Sequence, residues 1–204
     1  MFVQVTQGKT SQAEALYEAM ERWRSDLAAG AAGWLGTTAG VTDDGRAIAI
    51  YRFESEEDAQ RMSKRPEQEQ WWIDAQQHFD AEPIVQFSNE VTHDLRGDPD
   101  QAGFVQFRQG RVSDSDRAKE LMARHSGDLA TARPDVLGSI VLEHGDGAYT
   151  TVSYFTSEAE ARQGEQKPVP AELQPDMEEM GKLSIGAPEY FDLRRPMILS
   201  PAGG

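Results

Sequence analysis

Trp71, Trp72 and His78 have the types and spacing to do chemistry. Read as one helix running from Trp71 to Phe79, it carries Trp71 and His78 on nearly one face, with Ala75 between them. Two indoles could line a pocket for a flat substrate, and the imidazole could accept a proton near neutral pH. A plainer reading stands beside it: Trp72, Ala75 and Phe79 form the core stripe of the helix, and His78 is a surface residue. A second set of polar groups sits on strands. Gln4 and Thr6 alternate with Val3 and Val5, and Gln106 and Arg108 alternate with Val105 and Phe107. Arg52 shares a strand face with Ile48 and Ile50, and Tyr154 occupies its place in the second half. The remaining histidines are scattered. His93 shares a face with Asn89 on a late strand, His125 falls in a helix, and His144 stands beside a Gly145 turn.

No His, Asp or Glu cluster has metal-ligand spacing, and no H-E-x-x-H is present. A G-x-G-x-x-G after a strand, a P-loop and a G-x-S-x-G elbow are also absent. The chain has no cysteine, which excludes disulfides and thiolate chemistry. The expectation is therefore a protein that uses no metal and no cofactor. A formal net charge of −15 argues against nucleic acid and anionic membrane surfaces as partners. No apolar run approaches the roughly 20 residues that span a bilayer. With no basic and apolar leader ahead of Phe2, a cytoplasmic location is expected.

The elements that must position these residues are written twice. Phe2-Val3-Gln4-Val5-Thr6-Gln7-Gly8-Lys9 returns as Phe104-Val105-Gln106-Phe107-Arg108-Gln109-Gly110-Arg111, an offset of 102 residues. The same offset pairs Met20 with Met122, Asp26-Leu27-Ala28 with Asp128-Leu129-Ala130, and Leu35-Gly36 with Leu137-Gly138. It goes on to pair Phe53 with Phe155, Ser55-Glu56 with Ser157-Glu158, and Pro66 with Pro168. A register held without a gap over that span marks a duplicated unit.

Within each copy an alternating strand leads into a helix. Ser11-x-x-Glu14 has the form of a capping box, and Leu16, Met20, Trp23 and Leu27 follow at helical spacing. A hairpin comes next, turning at Asp43-Asp44-Gly45 and at Gly145-Asp146-Gly147. Ser55-x-x-Asp58 and Ser157-x-x-Glu160 then cap a helix broken near Pro66 or Pro168. Pro175 suits the first turn of a restarted helix. A last strand closes each copy, over 84–95 and roughly 189–199. Each copy thus reads β-α-β-β-α-β, a ferredoxin-like unit in an α+β chain. The expected domains are residues 1–95 and 104–199, with a turn-rich linker over 96–103 and a tail over 200–204. Arg96-Gly97-Asp98 in the linker is read as turn chemistry and not as an adhesion signal.

Gly33-Trp34-Leu35-Gly36, the strand Arg46 to Phe53 and the break at Pro66 resemble the antibiotic-biosynthesis-monooxygenase group of dimeric α+β barrels. The resemblance covers both halves. It implies two ferredoxin-like units packed sheet to sheet as a barrel within one chain, hence a monomer with an internal pseudo-dimer. It further implies that the apolar strand face meets the helices. Gln4, Arg52, Gln106, Arg108 and Tyr154 would then face a lumen and bind an oxygen-rich or anionic small molecule, or bond one another as packing. Its haem-degrading branch carries an Asn, a Trp and a His at the positions of Gln4, Met62 and Trp71, so haem degradation is not expected. What the resemblance implies is a cofactor-independent oxygenase of an aromatic or polyketide-like substrate. His78 and Arg52 would be its catalytic residues, and Trp71 and Trp72 with the polar strand set would bind substrate. The alternative is a ligand-binding or structural module without catalysis.

Overall fold

A computed structural model describes residues 1–124 and 133–201. His125 and the matches at Asp128, Leu129 and Ala130 lie outside the described residues, as do the last three residues of the tail. The chain divides into two units, Met1–Val91 with Arg195–Gly204, and Thr92–Arg194.

The first unit runs β1 (Phe2–Lys9), α1 (Ala13–Asp26), β2 (Trp34–Val41), β3 (Arg46–Phe53), α2 (Glu56–Ser63), α3 (Pro66–Gln76) and β4 (Ile84–Ser88). After β5 (Glu90–Leu95), the second repeats the order as β6 (Phe104–Arg111), α4 (Ser115–Arg124), β7 (Val136–Glu143) and β8 (Ala148–Phe155). It continues through α5 (Glu158–Glu165), α6 (Gln174–Leu183) and β9 (Glu189–Leu193), and β10 (Met197–Leu199) ends the chain. The α+β reading of two ferredoxin-like units therefore holds. Among the described residues no helix is long and apolar enough to cross a membrane.

The last strand of each copy differs from the expectation, because it is two strands. The first sheet has the order β10-β2-β3-β1-β4 and the second β5-β7-β8-β6-β9. Between β4 and β5 the Ser88 hydroxyl takes up both backbone groups of Glu90, accepting from its N–H at 3.2 Å and donating to its carbonyl at 3.0 Å. Between β9 and β10 stands Pro196, which has no N–H to donate to a ladder. In both places the chain leaves one sheet and joins the other.

Local signals are obeyed unevenly. The Ser55 hydroxyl accepts from the Asp58 N–H at 3.1 Å, and Ser157 from that of Glu160 at 3.3 Å, as capping boxes should. Pro66 opens α3 and Pro175 falls in the first turn of α6. Ser11, in contrast, caps nothing. Its hydroxyl and N–H both donate to Asp80, at 2.7 and 2.9 Å, and α1 starts from Gln12 without a side-chain cap.

The core of the first unit gathers Trp23, Trp34, Phe2, Phe53 and Met62 between the helices and one face of the sheet. Trp23 and Trp34 meet edge to face at 4.9 Å. On the other face Val3, Val5, Ile48 and Ile50 are at most 2 % exposed. Val105, Phe107, Ile140, Val152 and Tyr154 form the equivalent buried face of the second sheet.

Candidate functional site

The register decides which side chains can meet. Gln4 lies opposite Tyr51 and Phe87, and Thr6 opposite Ala49, so Gln4 and Thr6 share one sheet face with Tyr51. That face looks toward the helices, since Thr6 and Ala49 line a cavity with Leu16, Tyr17 and Trp71. Arg52 pairs with Val3 and lies on the opposite face. The second sheet behaves alike: Gln106 and Arg108 sit on the helix side, opposite Ser153 and Thr151, while Tyr154 pairs with Val105 on the far side. The expectation that these five residues share one surface is thus corrected. Helix-side positions carry Gln4, Thr6, Gln106 and Arg108, while Val3, Val5, Ile48 and Ile50 face away from the helices together with Arg52.

In the first unit a groove of about 650 Å³ runs between α2, α3 and the β1–β4 side of the sheet. Phe2, Phe87 and Val85 form its floor, Trp71 and Trp72 one wall, and Gln4 and Asn89 place amides within it. Phe2 and Phe87 stack at 5.7 Å, and Phe87 remains 56 % exposed. Trp71 and Trp72 lie 6.3 Å apart with their planes tilted by 40°. The two indoles are not equivalent. Trp71 donates its Nε1–H to the Ala19 carbonyl at 2.8 Å and packs against the core, so it is anchored. Trp23 is fixed in the same way, donating to Gln68 Oε1 at 2.7 Å.

His78 stands apart from this groove. α3 ends at Gln76, and the N–H groups of His78 and Phe79 bond three residues back, to Ala75 and Gln76. That tightened turn carries His78 off the face of Trp71. Its ring Nδ1 lies 3.4 Å from Gln12 Oε1, and its carbonyl accepts from the Thr10 hydroxyl at 2.7 Å. Phe79 instead turns in to line a smaller cavity of about 50 Å³ under α1 and α3, beside Thr6, Trp71 and Ala75. Of the core stripe Trp72, Ala75 and Phe79 in the plain reading, Ala75 is buried and Phe79 half-buried, while Trp72 also lines the groove. Arg52 is outside the groove as well, its Nε buried with no hydrogen-bond partner.

The proton acceptors on the groove rim are carboxylates, Glu56 on α2 and Glu69 on α3, both exposed. Sequence reasoning missed these two, and it also missed Phe2 and Phe87. Glu56 and Glu69 are ordinary helix-surface residues until the fold turns them to a groove mouth. Phe2 and Phe87 meet only through the β1–β4 pairing. Tyr51, half-buried beneath, has its phenol pushed above its ordinary value by desolvation, so it remains a neutral hydroxyl.

In the second unit Gln106 donates to Asp192 at 2.8 Å, and Asp192 also pairs with Arg162, whose guanidinium lies over Phe104. Gln106 is thereby tied into an ionic network. Arg108 lies over the Tyr149 ring at 5.5 Å and lines a cavity of about 330 Å³ under α4 and α6. Among the described residues no group of three His, Asp or Glu could hold a metal ion.

No protein-family model matches the chain, and no curated protein matches its sequence. Solved structures do match over its whole length. A protein named "putative monooxygenase" from Lactobacillus acidophilus superposes with a TM-score of 0.74 at 12 % identity, covering 98 % of this chain and 96 % of its own. Another of that name from Fusobacterium nucleatum gives 0.75 at 10 % identity over 100 % and 95 %. An anthrone oxidase-like protein gives 0.68 at 14 % identity over 100 % and 94 %. At such identities the likeness defines a fold. The fold they share with this chain is a tandem pair of ferredoxin-like α+β units. Gln4, Met62 and Trp71 all line the 650 Å³ groove of the first unit.

Proposed function

We propose that the protein binds a planar aromatic or polyketide-like small molecule in the groove of its first unit and oxygenates it without a cofactor. The observation that carries this reading is the groove itself. Its roughly 650 Å³ lies within the common size range of small-molecule pockets, with aromatic walls and two amides to orient a substrate. A ring system slides between Phe87 and the Trp72 indole, with Gln4 in reach of a ring oxygen.

The reaction needs little from the protein. An anthrone-type substrate loses an acidic C–H proton to a carboxylate on the rim, Glu69 or Glu56. The carbanion gives its electrons to molecular oxygen. One oxygen atom stays on carbon as a new carbonyl, and the other leaves as water with the two protons lost from carbon. The substrate is the reductant, so the balance closes with no flavin or metal. His78 and Arg52, assigned catalytic roles from the sequence, stand outside the groove and have none in this scheme.

A second reading has an observation of its own. Both rim carboxylates are exposed, and an exposed carboxylate is a weak base for carbon acids. The groove would then hold its ligand without chemistry.

Oxygen uptake with anthrone, read together with quenching of tryptophan fluorescence, separates the two. Catalysis predicts uptake that falls at least about tenfold in Glu69→Gln or Glu56→Gln and in Trp72→Ala, with the fold intact by circular dichroism. Saturable quenching with no uptake supports the binding reading. Neither signal with anthrone or other fused-ring phenols overturns both.

A further inference from the structure

The two copies hold the same space under their first helix, and it has diverged in one direction. In the first unit the sheet row Thr6, Ala49, Ala39 lies beneath α1, and at an offset of 102 residues it becomes Arg108, Thr151, Val141. The cavity above the first row measures about 50 Å³ and that above the second about 330 Å³. The reason is in the ceiling. Leu16, Trp71 and Phe79, which fill the first, correspond to Ala118, Leu173 and Gly181. Closed packing in one copy has become an opening in the other.

Charge changed along with volume. Thr6 became Arg108, whose Nε is buried with no hydrogen-bond partner. The other charges on the cavity are answered: Lys119 pairs with Glu143 at 2.8 Å and Asp176 with Arg124 at 3.7 Å. Among the described residues, Arg108 is left stacked on Tyr149 with no carboxylate partner, in a cavity whose apolar walls are Leu121, Met122, Leu173, Met177 and Met180. A half-buried guanidinium whose Nε has no acceptor is a ready partner for an anion that enters the cavity. A guanidinium best matches a planar carboxylate, which it can hold through two parallel hydrogen bonds. Methionines adapt to the shape of an apolar guest.

We propose that the cavity of the second unit is a binding site for an amphipathic organic carboxylate, with its head on Arg108 and its apolar body among Leu121, Leu173 and Met177. This site is separate from the groove of the first unit and does not depend on that groove's reading.

Octanoate, its neutral counterpart octanol, and naphthoate serve as probes in calorimetric titrations of the whole chain. Octanoate or naphthoate should bind at one site, with octanol about tenfold weaker or worse. Which acid binds tighter tells whether the body is a chain or a ring system. Arg108→Met should remove the preference for acid over alcohol. Ala118→Leu, which restores the residue of the first copy, should weaken all three probes. A further readout guards against a structural role for Arg108. With no ligand present, Arg108→Met should melt at or above the temperature of the parent, because it removes a half-buried guanidinium that has no carboxylate partner. Acid and alcohol binding alike, no binding at millimolar probe, an unchanged preference in Arg108→Met, or a marked fall in its melting temperature would each overturn the proposal.

Discussion

Gly36 shows how closely single residues are specified in this fold. Its φ of 135° lies where side chains are strained, and a Cβ there would meet the Arg52 guanidinium and, at 2.9 Å, the Leu199 carbonyl of β10. Gly36→Ala should therefore destabilise by about 2 kcal/mol or more in urea titrations. Gly181 is the control. It lies inside α6 with open space for 4 Å around the position a methyl would take, so Gly181→Ala should be neutral or stabilise by up to about 1 kcal/mol. Residue roles are legible at this scale where a local rule governs them, as with Pro66 at the start of α3. Function is not legible in that way. Heptad spacing puts His78 on the face of Trp71 only in a helix that continues, and α3 stops two residues short. The groove needs Phe2 beside Phe87, 85 residues apart in the chain, and no periodicity announces such a meeting.

At the scale of elements, capping separates real signals from coincidental ones. Ser55 and Ser157 each satisfy an N–H of the first turn, so Ser55→Ala and Ser157→Ala should each cost about 1 kcal/mol by chemical denaturation. Ser11 precedes α1 with the same spacing but spends its hydroxyl on Asp80. Asp80→Ala should thus lower stability by a similar amount, and Glu14→Ala should disturb no cap. The strands carry a parallel lesson. Alternation correctly sorts Gln4 and Thr6 from Val3 and Val5, and Arg52 from Tyr51, but period two separates two faces without saying which of them meets the helices. The usual rule that the more apolar face does so fails here, since Val3, Val5 and Ile50 are buried on the other side. The split of each last strand is equally hidden. A continuous β-prone stretch from Ile84 to Leu95 has no local feature strong enough to predict that Asn89 divides it between two sheets.

At the scale of the whole molecule, the gapless repeat makes the two-unit fold readable, and the charge of the chain makes its response to acid predictable. Two effects oppose each other. A net charge of −15 repels itself at pH 7, so added salt at that pH should raise the melting temperature. Specific carboxylates work the other way. Burial pushes the Asp135 carboxyl up, but hydrogen bonds and charge from Arg133, at 2.7 and 3.0 Å, outweigh it and hold the group below the usual carboxylate range. Glu179 is lowered by its hydrogen bonds to Arg117, Glu120 by Arg117 and Arg124, and Glu158 by Arg194. A group whose folded value is depressed lends stability that is fully present above its unfolded value, about 4, and is lost as pH falls through the folded value. Calorimetric melting should accordingly hold steady between about pH 7 and 5 and then drop steeply below about 4. Asp135→Asn should flatten part of that acid limb while lowering stability at neutral pH, because it leaves Arg133 without its carboxylate. A melting temperature that instead climbed below pH 4 would mean that relief of self-repulsion outweighs the loss of these pairs.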